Sequence, residues 1–135
     1  MLTLSLPPTA EVLSPVRHMV REWLARAGFY GESADDVLMV VSELVTNGVI
    51  HDGGDDIELF VSQGGTGVTI EVVTADHPGG PDHLAADHGP RRVRGSTDSD
   101  ESGRGLVVVG ALTDAMSISD SEGRRRVICH VPVMG

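Results

Sequence analysis

The chain has 135 residues, 40% hydrophobic and 22% charged, enough for one domain with a proper core and too few for two ordinary ones. Its formal net charge is −10 and every cation is arginine, a balance that argues against non-specific binding to nucleic acid or to anionic membranes. Aromatics make up only 3%, no apolar run reaches the length of a membrane span, and the lone Cys129 excludes an internal disulfide. The start MLTLSLPPT lacks the charged region of a signal peptide, so the expected location is the cytoplasm.

Leu2, Leu4 and Leu6 alternate with Thr3 and Ser5, the period of a half-buried strand that Pro7-Pro8 ends. Ser14-Pro15 reads as a helix opening, with Val16, Met19, Val20, Trp23, Leu24 and Ala27 at helical spacing and Gly28 as the stop. Arg17, Arg21 and Arg26 with Glu22 read as its solvated face. A second helix is expected over Asp35–His51, capped by Ser33 and opened by Asp35 and Asp36. Its apolar residues run almost all the way round, which predicts burial against neighbours rather than a place on the surface.

Asp52-Gly53-Gly54 turns the chain into a hairpin in which Ile57, Leu59, Val61 and then Val68, Ile70, Val72 alternate across a glycine-rich turn, Gln63 to Gly67. From Asp76 to Ser102 the periodicity vanishes, in a stretch of prolines, glycines, three Asp-His pairs, a basic run at Arg91–Arg94 and an acidic tail. A stretch of that length and composition inside a compact domain is a mobile functional loop or disorder. Leu106–Leu112 reads as a short apolar helix, Met116 and Ile118 as a strand, Asp120–Gly123 as a turn, and Val127–Val133 as the last strand. The order predicts a single α+β domain over 1–135, a two-layer sandwich with a mixed, mostly antiparallel sheet and helices on one face.

Three places carry candidate chemistry. Glu43 and Asn47 lie four residues apart, hence on one face of the second helix. An amide oxygen suits Mg²⁺, which takes hard oxygen ligands and phosphate oxygens, and a carboxylate one turn earlier can orient a hydroxyl. The same two side chains are equally read as bridges to neighbouring backbone. Gly103-Arg104-Gly105-Leu106 opens a helix, where backbone N–H groups approach an anion and Arg104 adds a charge-assisted contact; it reads equally as an ordinary loop end. Asp76, directly after a strand, is placed to accept from an exocyclic amine, or merely belongs to a turn with His77-Pro78-Gly79-Gly80.

Taken together and in this order, these motifs resemble the GHKL ATPase superfamily in the form of anti-sigma-factor serine/threonine kinases. Glu43-Leu44-Val45-Thr46-Asn47 followed by His51 is similar to its N box, the segment after Asp76 to its G1 box, and Gly103-Arg104-Gly105-Leu106 to its G2 box. Two positions depart from the pattern: Pro78 stands where the first G1 glycine belongs, and Arg126 precedes Val127 where a threonine is common. The resemblance implies the Bergerat fold, with ATP and Mg²⁺ held between the helical layer and a lid over 81–102. It implies Asn47 as the Mg²⁺ ligand, Glu43 as the catalytic general base and Asp76 as the adenine contact. His51, Gly80, Gly103, Arg104, Gly105 and Leu106 complete the nucleotide site it implies. The implied partners are a small anti-anti-sigma protein bearing the acceptor hydroxyl and a sigma factor, with a homodimer possible.

Two other readings stay open. One is a non-catalytic ATP-binding or sequestering module of the same fold. The other is a metal-binding loop at Asp76-His77, Asp82-His83 and Asp87-His88, whose imidazoles suit Zn²⁺ or Ni²⁺. Cys129 is expected to be a small buried apolar residue, and His18 and His130 to be incidental.

Overall fold

The computed structural model describes residues 1–51, 56–75 and 109–133. The chain begins with strand β1 (Leu2–Leu6), passes through a single 3-10 turn at Ala10–Val12, and enters helix α1 (Leu13–Arg26). Helix α2 (Gly31–His51) follows, then strands β2 (Ile57–Gly64), β3 (Gly67–Ala75), β4 (Ala115–Ser121) and β5 (Arg124–Pro132). The sheet order is β1-β2-β3-β5-β4. Among the described residues all four pairings are antiparallel, in keeping with the mostly antiparallel sheet expected.

Period-two patterning sorts the sheet into two faces. Ile57, Leu59 and Val61 on β2, Val68, Ile70 and Val72 on β3, and Cys129 and Val131 on β5 are buried in one core with Leu6. Val16, Val20 and Leu24 of α1 and Val37, Val40, Val41, Leu44 and Val45 of α2 close that core from above. With so few aromatics, branched aliphatics fill the interior, as the composition required. The opposite face carries Glu58, Phe60, Glu71, Arg124 and Arg126, with ion pairs Arg126–Glu71 at 2.6 Å and Arg124–Glu58 at 3.9 Å.

Helix boundaries differ from the sequence reading in instructive ways. Helix α1 starts at Leu13, before the Ser14-Pro15 opening, because the 3-10 turn already directs the chain; its cap position is Val12, with no side-chain cap hydrogen bond. Its far end follows the expected stop. Gly28 has φ +92°, its N–H donates to the Ala25 carbonyl at 3.0 Å, and the Phe29 N–H donates to Leu24 at 2.8 Å. That is the paired-bond C-terminal motif in which glycine takes the left-handed position. Helix α2 starts at Gly31, two residues before Ser33, and the Tyr30 hydroxyl donates to the Ala25 carbonyl at 3.0 Å across the connection.

Both hairpin turns are tighter than the sequence suggested. Gly64 pairs with Gly67, so only Gly65 and Thr66 lie between β2 and β3. Ser121 pairs with Arg124 across Glu122 and Gly123, both at positive φ (54° and 76°), the geometry of a two-residue primed turn. The predicted turn over Asp120–Gly123 therefore shrinks to two residues, and Asp120 and Arg124 to Arg126 join the strands. Of the predicted Leu106–Leu112 helix, residues 109–112 are helical, and Thr113 Oγ1 donates back to the Val109 carbonyl at 2.9 Å.

Candidate functional site

Helix α2 lies across the strands through its glycine. A Cβ built on Gly48 would stand 3.1 Å from Thr74 Cγ2 and 3.3 Å from Ile57 Cδ1, so the helix approaches the end of β3 as closely as packing permits. Asn47, the preceding residue, is thereby fixed beside the point where β3 ends at Ala75. Glu43 stands one turn earlier on the same flank. Both side chains are half-buried, and neither hydrogen-bonds to another described residue.

Helix α2 is less enclosed than its composition suggested. Asp35 is exposed, Met39 is 45% exposed and Ile50 55% exposed. The buried arc, from Val40 through Leu44, Val37, Val41 and Val45 to Leu38, covers about half the circumference, and Glu43 and Asn47 lie along its Val40 rim. The expectation of a helix buried almost all the way round is thus corrected. At the rim a carboxylate needs no partner to offset burial. Inside the helix, Ser42 Oγ donates to the Leu38 carbonyl at 2.8 Å and is engaged with main chain.

Of the other residues singled out in the sequence, His51 is the last residue of α2, and its side chain lies outside the described residues. So do Asp76, Gly80, Gly103, Arg104, Gly105, Leu106, the 81–102 lid, the departure at Pro78 and the three Asp-His pairs. Among the described residues no group of three or more His, Cys, Asp and Glu is placed to hold a metal ion. Arg126, which precedes Val127, points to the open face and ion-pairs with Glu71, so strand alternation puts its neighbour Arg125 on the α2 side instead.

Arg125 was not foreseen. Its Nε donates to Asp120 Oδ1 at 2.9 Å and its Nη2 to Oδ2 at 3.4 Å, a two-point pair with both side chains largely covered. His130 was expected to be incidental, yet its Nδ1 lies 2.7 Å from Asp114 Oδ1, and the Asp114 N–H donates to the His130 carbonyl at 3.0 Å. Cys129 is fully buried, as expected, and burial pushes its thiol up to about 11. On α1, Arg17, Arg21, Glu22 and Arg26 are exposed, and His18 meets Glu22 at 3.2 Å. A shallow groove of about 480 Å³ there, lined by Glu11, Ser14, Arg17, His18 and Arg21, shares no residue with the α2 site.

Residues 6–130 match the profile described as a histidine kinase-like ATPase domain. The chain belongs to this family. Among curated relatives, the serine-protein kinase RsbW of Listeria monocytogenes serotype 4a is 30% identical over 137 residues, spanning 90% of this chain and 81% of that protein. The RsbW of Listeria innocua matches to the same identity and extent. Among solved structures, the RsbU and RsbW domains of a Mycobacterium tuberculosis protein superpose with a TM-score of 0.70 at 21% identity, covering 98% of this chain and 32% of that one. The SiaB–SiaC complex of Pseudomonas aeruginosa superposes with a TM-score of 0.66 at 13% identity, covering 98% and 90%. At those identities the two structures speak for the fold, which is the two-layer α+β architecture described above. Among the described residues no helix is long and apolar enough to cross a membrane.

Proposed function

We propose that this member of the ATPase family is an ATP- and Mg²⁺-dependent serine/threonine protein kinase and anti-sigma factor. Its substrate would be a small anti-anti-sigma protein, and its sequestered partner a sigma factor, in the cytoplasm. The observation that carries the reading is the Glu43–Asn47 pair: two polar side chains one turn apart on the rim of α2, unengaged by described residues, next to the glycine that seats the helix on β3. The RsbW relatives, named as serine-protein kinases, support the same activity.

The donor set fits a hard cation. An amide oxygen free of main-chain bonds is a suitable oxygen ligand, and Mg²⁺ commonly takes few protein ligands beside phosphate oxygens. Asn47 would hold the ion, which when bound supplies charge neutralisation to the phosphates. Phosphoryl transfer then depends on positioning. Glu43 would accept the hydrogen bond of the acceptor serine or threonine hydroxyl, orient it and take its proton as the hydroxyl oxygen bonds to the γ-phosphorus and the bond to the bridging oxygen breaks, ADP leaving. Asp76 holds the adenine amine. His51, Gly80, Gly103, Arg104, Gly105 and Leu106 line the nucleotide, and the 81–102 segment covers it. A homodimer is compatible with this assignment.

Transfer of label from γ-labelled ATP to a candidate anti-anti-sigma protein tests the reading. Glu43→Ala is expected to abolish transfer while retaining ATP binding; a variant that phosphorylates at the wild-type rate refutes the role given to Glu43. The Pro78 departure favours one second reading, a sequestering module without catalysis. A stable complex with the partner and no label transfer would select it.

A further inference from the structure

Helix α2 carries one face that the core does not use. Glu32, Asp35, Met39, Glu43, Thr46 and Ile50 recur at spacings of three and four residues, so they form one stripe along the helix. The stripe lies opposite the buried arc, and each of its residues is exposed or half-buried. Single exposed apolar side chains are ordinary on a protein surface. Met39 and Ile50 are set apart by position: they share the stripe with Glu43 and stand on either side of it, about 6 Å and about 10 Å away along the helix axis.

Charge on this face is also one-sided. Helix α2 contains Glu32, Asp35, Asp36 and Glu43 and no lysine or arginine. The helix dipole accounts for Glu32 in the first turn, and its effect fades beyond that turn. Helix α1, packed beside α2, holds Arg17, Arg21 and Arg26. Yet among the described residues none of the α2 carboxylates forms an ion pair, and these three arginines form none either. The face stays acidic although cations stand on the next helix. Apolar points within an unneutralised acidic field are complementary to a partner with apolar side chains ringed by cations.

We propose that this stripe is the docking face for the protein that brings the acceptor hydroxyl, and that it selects a serine or threonine with apolar side chains on both sides and lysine or arginine toward one end. This rests on the role given to Glu43 above. Asn47, the residue assigned to the cation, lies on the Val40 side of Glu43, and Met39 and Ile50 lie on the other. A hydroxyl that reaches Glu43 from solvent therefore arrives over Met39 and Ile50, while the phosphates take the Asn47 flank. Met39 and Ile50 bury against the acceptor's apolar side chains and set its register. Glu32 and Asp35, near the start of the helix, attract its cations. These four residues determine specificity and take no part in the chemistry.

Two synthetic serine peptides test the assignment on the full chain. One has leucine on both sides of the serine and arginine toward one end; its twin has glutamate in place of arginine. Fluorescence anisotropy of the labelled peptides reads docking, and calorimetry reads ATP binding separately. Wild type should bind the arginine peptide about tenfold more tightly than the twin, a preference that shrinks as salt rises. Met39→Ser and Ile50→Ser should each weaken the arginine peptide about fivefold, with ATP binding and the unfolding midpoint unchanged. Glu32→Gln combined with Asp35→Asn should remove most of the preference between the peptides. Equal binding of both peptides to wild type, or wild-type affinity in both serine variants, overturns the docking assignment and leaves the nucleotide reading standing. A wild-type dimer that either serine variant turns into a monomer in light scattering also overturns it, because a second copy then covers the face. The peptide preference without any ATP binding overturns the proposed function, and with it the acceptor role of the face.

Discussion

Replacing Gly67 by alanine should damage this fold more than any other single-methyl addition at a described glycine. A Cβ there would stand 2.1 Å from the Val131 carbonyl oxygen, 2.9 Å from Pro132 Cα and 3.0 Å from His130 Cε1. Carbon and oxygen approach no closer than about 3.3 Å even in favourable C–H···O contacts, so β5 must retreat by about 1 Å. The obstructing atoms are backbone within a ladder, which no rotamer change relieves. Retreat would break the Gly67–Pro132 pairing and the bond from the Val133 N–H to the Thr66 carbonyl at 2.9 Å. Overpacking of this kind costs about 1–3 kcal/mol, and a lost backbone hydrogen bond adds roughly 1 kcal/mol. Gly67→Ala should therefore lose about 2–4 kcal/mol in urea unfolding, with Tm lower by roughly 10 °C for a domain of this size. Gly64→Ala is the control, since nothing lies within 4 Å of a Cβ at that position. A Gly67→Ala chain as stable as Gly64→Ala would refute the β3–β5 register.

Other consequences follow from single features. The Cys129 thiol, raised from 9.0 to about 11 by burial, should resist alkylation at pH 8 until the chain unfolds. Because the unfolded thiol loses its proton first, its contribution to stability is complete below pH 9 and is lost as pH rises toward 11; Cys129→Val should flatten that part of the urea-midpoint profile. Glu122 holds φ 54° in the β4–β5 turn, so Glu122→Asn should raise stability by about 0.5–1 kcal/mol in thermal melts. Arg126→Ala removes an ion pair whose side chains are 50% and 27% exposed, and the loss measured in the same melts should stay below about 1 kcal/mol.

Much of the fold was legible because its signals are local. The alternation of Leu2–Leu6, Ile57–Val61 and Val68–Val72 marks strands with one buried face, and Gly28 marks a helix end through its left-handed φ. What stayed hidden depended on partners distant in the chain. β5 inserts between β3 and β4, and only that pairing shows that Arg124 to Arg126 belong to a strand, with Arg125 facing inward and Arg126 outward. The extent of α2's buried arc was hidden for a similar reason. Met39 and Ile50 read as core by composition, yet the sheet and α1 cover only half of the helix. Of the candidate site, Glu43 and Asn47 were legible from spacing alone, and the structure places them on one rim.

The central claim is that Asn47, seated beside the end of β3 and one turn from Glu43, serves a magnesium–nucleotide complex. Calorimetry of the full chain with ATP, with and without MgCl₂, on wild type and Asn47→Ala tests it most directly. The account predicts ATP binding that Mg²⁺ strengthens in wild type, and loss of that strengthening in Asn47→Ala with the fold intact by circular dichroism. Absence of ATP binding to wild type, or the same magnesium dependence in both proteins, would contradict it.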